Sequence, residues 1–355
     1  MSRKPIIGIT MGDPAGCGPE ISIKALHNPS VYEMCDPLLV GDANIFKDSI
    51  RILEGTGYLK HGELSVNIID SVDKAQFRYG TVDIYNLDLI DMSAFEYGKL
   101  SSECGDAAFK CVVKDIELVM NGEVDANVTN ALNKEAMNMA GHHYSGHTEI
   151  YAEYTKTKNY AMMLAHDDLR VVHVSTHVSL REACDRVKKD RVLTCIRLAN
   201  EACKSIGIES PKVGVAGLNP HAGEGGMFGR EEIEEIAPAI SAAKQEGICA
   251  DGPLPPDTAF SKARGGWYDI IVAMYHDQGH IPLKVVGFVY DKSEHKWGAV
   301  AGVNITLGLP IIRVSVDHGT AFDNSGHGVQ NELSLLNAID YASKMANDRL
   351  RKKQL

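Results

Sequence analysis

The stretch "DIIVAMYHDQG", Asp269–Gly279, carries five apolar residues in a row and then breaks into a loop of histidine, aspartate, glutamine and glycine. A short continuous apolar run bounded by turn residues reads as a strand buried on both faces. Strands of that kind belong to parallel sheets covered by helices. Two other stretches repeat the pattern: "LRVVHVSTH", Leu169–His177, and "PKVGVAGLNPH", Pro211–His221. Nearer the start, "PIIGIT", "PLLVGDA" (Pro37–Ala43), "VDIYNL" (Val82–Leu87) and "VDANVT" (Val124–Thr129) are further short apolar runs. Between the last two, Phe109, Val112, Val113, Ile116, Val119 and Met120 recur at helical spacing. This alternation predicts an α/β protein, in which ligands bind beyond the carboxyl ends of the strands. The histidine-bearing loops are therefore expected to converge.

The chain has 355 residues, and at roughly 100 to 200 residues per domain two domains are expected. With 44% hydrophobic and 23% charged residues it has the composition of a soluble globular protein. A net charge of -11 argues against nucleic acid or an anionic membrane as partner, so an anionic ligand would need a local basic pocket. No apolar run approaches the about 18 residues of a membrane span. The start "MSRKPIIGIT" lacks the long apolar region of a signal peptide, and a cytoplasmic location is expected. Eight cysteines with no CxxC pair read as buried thiols in a reducing compartment. Cys17 lies near a probable site but has no obvious base beside it.

The three strand ends deliver His177, His221 and His276, separated by 44 and 55 residues. Neutral imidazoles fixed by a rigid sheet can hold one divalent metal. No local ligand motif accompanies them, and histidines hydrogen-bonded in polar loops remain the alternative. Asp277 is placed to support His276 from outside the ligand set. A Ser-His-Asp hydrolase is disfavoured, because there is no GxSxG elbow.

"MGDPAGCGPE", Met11–Glu20, sets Gly12, Gly16 and Gly18 as GxxxGxG. That is neither the dinucleotide GxGxxG nor a phosphate-binding GxxxxGK[ST]. Asp323, in the glycine-rich stretch Gly308–Gly328, could accept hydrogen bonds from a ribose. Lys284, Asn304 and Arg313 offer two cations and an amide donor, enough for a phosphate if they converge. His147 and Thr148 add neutral hydrogen-bonding groups near a helix start. "GFVYDKSEHKWGAV", Gly287–Val300, predicts a β-hairpin, and the segment from Asn331 a closing helix with a basic last turn.

The series "MGDPAGCGPE", "SGHTEIYAE", "STHVSL", "GLNPHAGEGGMFGREE", "GPLPPDTAF", "YHDQGHIPLK" and "VNITLGLPIIRVSVDHGTAFD" resembles the 4-hydroxythreonine-4-phosphate dehydrogenase family in wording and order. It spans almost the whole chain. The resemblance implies a two-domain isocitrate/isopropylmalate dehydrogenase-like fold with an interdomain cleft. The first domain is expected over 1–130 plus 312–355 and the second over 131–311. It implies one divalent metal per active site (zinc, magnesium, manganese or cobalt) on His177, His221 and His276. Substrate contacts are carried over to His147, Thr148, Lys284, Asn304 and Arg313, and cofactor contacts to Gly12, Asp13 and Asp323. NAD is the implied cofactor, with NADP as the alternative, and a homodimer with its active site at the interface is the implied assembly. Two features depart from the family: Ala131 stands where a proline is usual, and the interval from Lys284 to Asn304 is long.

The implied reaction is oxidation of the 3-hydroxyl of a 4-phosphorylated four-carbon acid, the metal acting as Lewis acid and NAD taking the hydride, followed by decarboxylation. The first reading is 4-phosphooxy-L-threonine going to 3-amino-2-oxopropyl phosphate in pyridoxal phosphate synthesis. The alternative is 4-phospho-D-threonate or erythronate giving dihydroxyacetone phosphate. Lys134, Asp257 and Asp277 are candidates for the proton acceptor. From other classes, a metal-independent acyl-phosphate transferase and a phosphosugar-binding module are the competing readings.

Overall fold

The computed structural model describes residues 3–354 apart from 289, 293, 294 and 299. The chain forms two compact units: Met1–Lys158 joined by Leu309–Leu355, and Asn159–Gly308.

The first unit runs β1 (Ile6–Thr10), α1 (Gly18–Leu26), α2 (Pro29–Met34), β2 (Asp36–Gly41), α3 (Ala43–Gly55), β3 (Ser65–Ile69), β4 (Thr81–Asn86), α4 (Ser102–Met120), β5 (Ala126–Thr129), α5 (Lys134–Met139) and α6 (His147–Tyr154). The second runs β6 (Ala161–His166), β7 (Leu169–His173), α7 (Leu180–Asp185), α8 (Lys189–Ser205), β8 (Val213–Ala216), α9 (Ala237–Gln245), β9 (Ala250–Leu254), α10 (Pro256–Arg264), β10 (Ile270–Ala273), α11 (His276–Gly287), β11 (Tyr290–Asp291), β12 (Lys296–Trp297) and β13 (Val303–Leu307). The chain then returns to the first unit with β14 (Arg313–Val316) and α12 (Leu333–Gln354).

In the first unit the strand order is β3-β4-β2-β1-β5-β14, paired in parallel throughout. Ile7, Ile9, Leu38, Leu39, Val40 and Val128 are fully buried, as strands covered on both faces require. Residues 131–158 pack here: Met137, Ile150 and Tyr151 join the core formed by Phe109, Val112 and Ile116 of α4. Lys134, His147 and Thr148 thus belong to the same unit as Arg313.

In the second unit the order is β13-β6-β7-β10-β8-β9. β13, β6 and β7 pair antiparallel, whereas β7, β10, β8 and β9 are parallel. Leu164, Val171, Ala216, Ala259, Phe260, Ile271 and Leu283 make its core. The expected hairpin appears as β11 and β12, Tyr290 opposite Trp297 and Asp291 opposite Lys296; Ser293 and Glu294 of its turn, with Val289 and Ala299, lie outside the described residues. Among the described residues no helix is long and apolar enough to cross a membrane.

Candidate functional site

In the second unit β7, β10 and β8 are neighbours, and their parallel pairing sets their carboxyl ends along one edge. His177, His276 and His221 follow those strands by four, three and five residues respectively. The three ends are cross-tied. Ser175 Oγ donates to the Met274 carbonyl at 3.1 Å. Gln278 accepts from Met274 N–H at 2.7 Å and donates from Nε2 to the Gly217 carbonyl at 2.8 Å. Gln278 is buried, and no single-strand pattern points to its bridging role.

His177 and His276 share a cavity of about 460 Å³ whose wall also includes Thr176, Leu180, Tyr275 and Asp277. Their ring centroids are 5.8 Å apart. With metal–nitrogen bonds of about 2.0–2.1 Å, two rings on one ion have centroids roughly 5–6 Å apart. Asp277 Oδ1 lies 2.7 Å from His276 Nδ1. A carboxylate can only accept, so Nδ1 carries the hydrogen and Nε2 is the nitrogen placed to face a ligand. The donor set therefore fits a divalent cation at two of the expected three ligands.

His221 is held apart from that pair. It is exposed and opens the turn Pro220–Gly226, in which His221, Ala222, Gly223, Glu224 and Gly225 all have positive φ, from 43° to 80°. Three of these are not glycine, so the turn is strained. Buried Glu232 maintains it: its carboxylate accepts from Leu218 N–H at 2.7 Å, Asn219 N–H at 2.8 Å and Asn219 Nδ2 at 2.9 Å. Among the described residues no three His, Cys, Asp or Glu side chains are grouped to hold a metal. His177 and His276 are together, and His221 is not grouped with them.

Behind His276 stand two more histidines. His280 stacks on it with ring centroids 3.6 Å apart, and His173 lies 4.7 Å from His280. His173 is fully buried, with Nδ1 3.3 Å from the Met162 carbonyl. Burial, then the charge of His280, lowers its pKa to about 3, so it is neutral. Lys284 lies two turns along α11, its Nζ 4.7 Å from the Phe288 ring. Asn304, on β13, points Nδ2 at Met162 Sδ, 3.2 Å away. Asp257 is exposed at the start of α10.

The first unit has its own edge, where loops leave the parallel neighbours β1, β5 and β14. Arg313 stands at the amino end of β14, is 2% exposed, and extends its side chain to the carboxyl end of β5, donating from Nη2 to Thr129 Oγ1 at 2.8 Å. Its guanidinium lies 5.6 Å from the centre of the Tyr151 ring. Burial lowers its pKa to about 10, which still leaves a full positive charge at neutral pH. Nearby, burial first and then the charges of Arg313 and Lys134 push His147 well below the usual histidine range. His147 is partly exposed as a residue, yet its Nε2 is buried and has no hydrogen-bond partner among the described residues. Thr148 follows it in the first turn of α6, and Lys134 is exposed at the start of α5. Two cations beside a neutral imidazole suit an anionic oxygen ligand.

On the same edge, the glycine loop after β1 meets the loop after β14. Cys17 N–H donates to the Thr320 carbonyl at 2.9 Å, and Glu20 accepts from Gly326 and Gly328 N–H. Gly12 has φ of 75°, and a Cβ there would come 2.6 Å from the Ala131 carbonyl. That carbonyl accepts from Asp13 N–H at 2.9 Å, a bond that a proline at position 131 would keep. Asp13 is buried, accepts from Ala15 N–H at 2.9 Å, and is raised to about 6 by burial. It shapes the loop, whereas Asp323 is exposed in a single 3-10 turn, Phe322–Asn324. Cys17 is fully buried, its thiol pushed up to about 12 by burial, and it acts as a core residue.

Residues 33–342 match the family model described as pyridoxal phosphate biosynthetic protein PdxA. The D-threonate 4-phosphate dehydrogenase of Pectobacterium atrosepticum is 46% identical over 341 residues, 96% of this chain and 99% of that protein. The D-threonate 4-phosphate dehydrogenase of Cupriavidus necator is 44% identical over 346 residues, 97% of this chain and 98% of that protein. Among solved structures, a 4-hydroxythreonine-4-phosphate dehydrogenase from Burkholderia phymatum matches with a TM-score of 0.81 and 42% identity, covering 97% of this chain and 99% of that one.

Proposed function

The chain belongs to the PdxA family, and from that premise we propose that it is an NAD-dependent, divalent-metal-dependent dehydrogenase of 4-phosphorylated four-carbon acids, with D-threonate 4-phosphate as substrate. A base would take the proton of the C3 hydroxyl, and bound NAD would supply the acceptor for the hydride that leaves C3 itself. The resulting 3-keto acid loses CO2 from C1, leaving dihydroxyacetone phosphate. The adjacency of β7, β10 and β8, which brings three histidines to one sheet edge, supports this chemistry more than any other single observation. The resemblance to relatives named for D-threonate 4-phosphate favours the hydroxy acid over the amino acid at C2. 4-Phosphooxy-L-threonine is the second reading, favoured by the name of the Burkholderia phymatum structure. Family membership speaks against the acyl-phosphate transferase.

His177, His221 and His276 would hold the metal, which supplies Lewis acidity toward the oxygen being oxidised. His276 is readied for this by Asp277, whose engagement leaves Lys134 and Asp257 as proton acceptors to be tested. Arg313, His147 and Thr148 of the first unit would bind the phosphate and orient C3, the buried charge of Arg313 fitting an anion; Lys284 and Asn304 are the substrate contacts proposed for the second unit. Gly12, Asp13 and Asp323 form the NAD side, Asp13 through the loop's shape and Asp323 through its exposed carboxylate. We also propose the isocitrate/isopropylmalate dehydrogenase-like arrangement of two α/β domains, in keeping with the two units. A homodimer is supported by the exposed apolar row of Ile281 and Val285 on α11 and Phe288 just beyond its end, in which Val285 is 74% exposed.

The test is NADH formation by metal-stripped protein given NAD and each substrate in turn, with magnesium, manganese, cobalt or zinc restored. Turnover of D-threonate 4-phosphate that requires the metal is expected. Turnover of the amino substrate alone would move the chain to the second reading, and no NADH from either would overturn the assignment.

A further inference from the structure

We propose that His280 is a positioning residue for His276, holding that imidazole in the plane from which it binds a metal. The proposal rests on the reading of His276 as a ligand. The two residues stand four apart at the start of α11, so their side chains share one face of the helix. Their rings are parallel within 10° at 3.6 Å between centroids. His280 Nδ1 lies 3.0 Å from the His276 carbonyl. A carbonyl only accepts, so Nδ1 donates, and the stacking ring is pinned to the backbone of the residue it supports.

The restraints on His276 are complementary. Asp277 fixes rotation of the ring within its plane, because the hydrogen bond to Nδ1 has one direction. The stack fixes the tilt of that plane. Behind it, the neutral ring of His173 closes the row at 4.7 Å from His280. Gly279 allows the helix to seat there, since a Cβ at that position would come 2.3 Å from His173 Nε2. A histidine stack in a core would serve packing alone. This one ends on a side chain that is 36% exposed on a cavity wall, where ring orientation decides where the Nε2 lone pair points.

Outer partners of metal-binding histidines typically change affinity 10–100-fold when removed. Cobalt binding should be measured by equilibrium dialysis, and the visible spectrum of bound cobalt recorded, for the full chain and for His276→Ala, His280→Ala, His280→Leu and His280→Phe. His280→Ala and His280→Leu are expected to weaken cobalt binding by about 10–100-fold and to alter the spectrum. His280→Phe keeps a planar ring on His276 and should restore affinity to within about threefold of the parent. If His280→Ala does not fold, His280→Leu carries the same comparison. Unchanged affinity and spectrum in the Ala and Leu variants, with binding lost in His276→Ala, would overturn the positioning role alone. Equal cobalt binding by the parent and His276→Ala would remove His276 from the ligand set and the proposal with it.

Discussion

The carboxylate of Glu20 accepts a hydrogen bond from the backbone N–H of Gly328 at 2.6 Å, although 308 residues separate them. A second bond comes from Gly326 N–H. Burial raises the Glu20 pKa and these donors oppose the rise. Hydrogen bonds to a charged group contribute about 1.5–3 kcal/mol each. Glu20→Ala should therefore lose about 3 kcal/mol in urea unfolding and, on the proposed function, weaken NAD binding as the two loops part. Glu20→Gln should fall between. An Ala variant with parental stability would show that these bonds are matched by water.

Asp13 makes stability depend on pH. Folded Asp13 holds its proton up to about pH 6, whereas its ordinary value is 3.8. Between those values the folded state binds more protons, so stability falls as pH rises. The shift corresponds to about 3 kcal/mol at about 1.4 kcal/mol for each tenfold change. Asp13→Asn should flatten the profile between pH 4 and about pH 6 by that order. Parallel profiles for the two proteins would rule the effect out.

Glu232→Ala removes an acceptor used by Leu218, Asn219 and the Asn219 side chain. The Asn219 amide keeps Glu231 as a partner at 2.7 Å, so the cost falls on the two part-buried backbone donors, at about 1–3 kcal/mol each. We expect a loss of about 3 kcal/mol, together with weaker metal binding, because the turn bearing His221 relaxes. Metal affinity identical to that of the parent would show that the geometry of this turn does not bear on metal binding.

Arg313→Lys keeps the charge but not the planar fork that reaches Thr129. KM for the phosphorylated acid should rise about 30- to 100-fold with kcat reduced less, the pattern of lost binding. A fall in kcat at constant KM would place Arg313 in the chemical step instead.

The strand-then-loop pattern made β7, β8 and β10 legible, and with them the positions of His177, His221 and His276. Their order in the sheet was not legible, because side-chain periodicity describes faces and not hydrogen-bonded neighbours. Gln278 and Glu232 were missed for a related reason: their partners are backbone groups, which the sequence does not distinguish. The glycines of "HAGEGG" hinted at an unusual turn, but the positive φ at His221, Ala222 and Glu224 is maintained by a tertiary contact. His280 reads locally as one more residue on a helix face. Only the stack reveals its neighbour.

The return of the chain to the first unit after Gly308 also bears on synthesis. Asn159–Gly308 leaves the ribosome as an uninterrupted stretch, with its strands in hand. β5 must wait for Arg313–Ser315, which pairs with Asn127–Thr129, and at roughly 5–20 residues per second that delay lasts many seconds. Until then the nascent first unit carries an unpaired strand edge, the kind of surface on which neighbouring chains aggregate. The segment that follows Gly308 is thus the one that covers this edge.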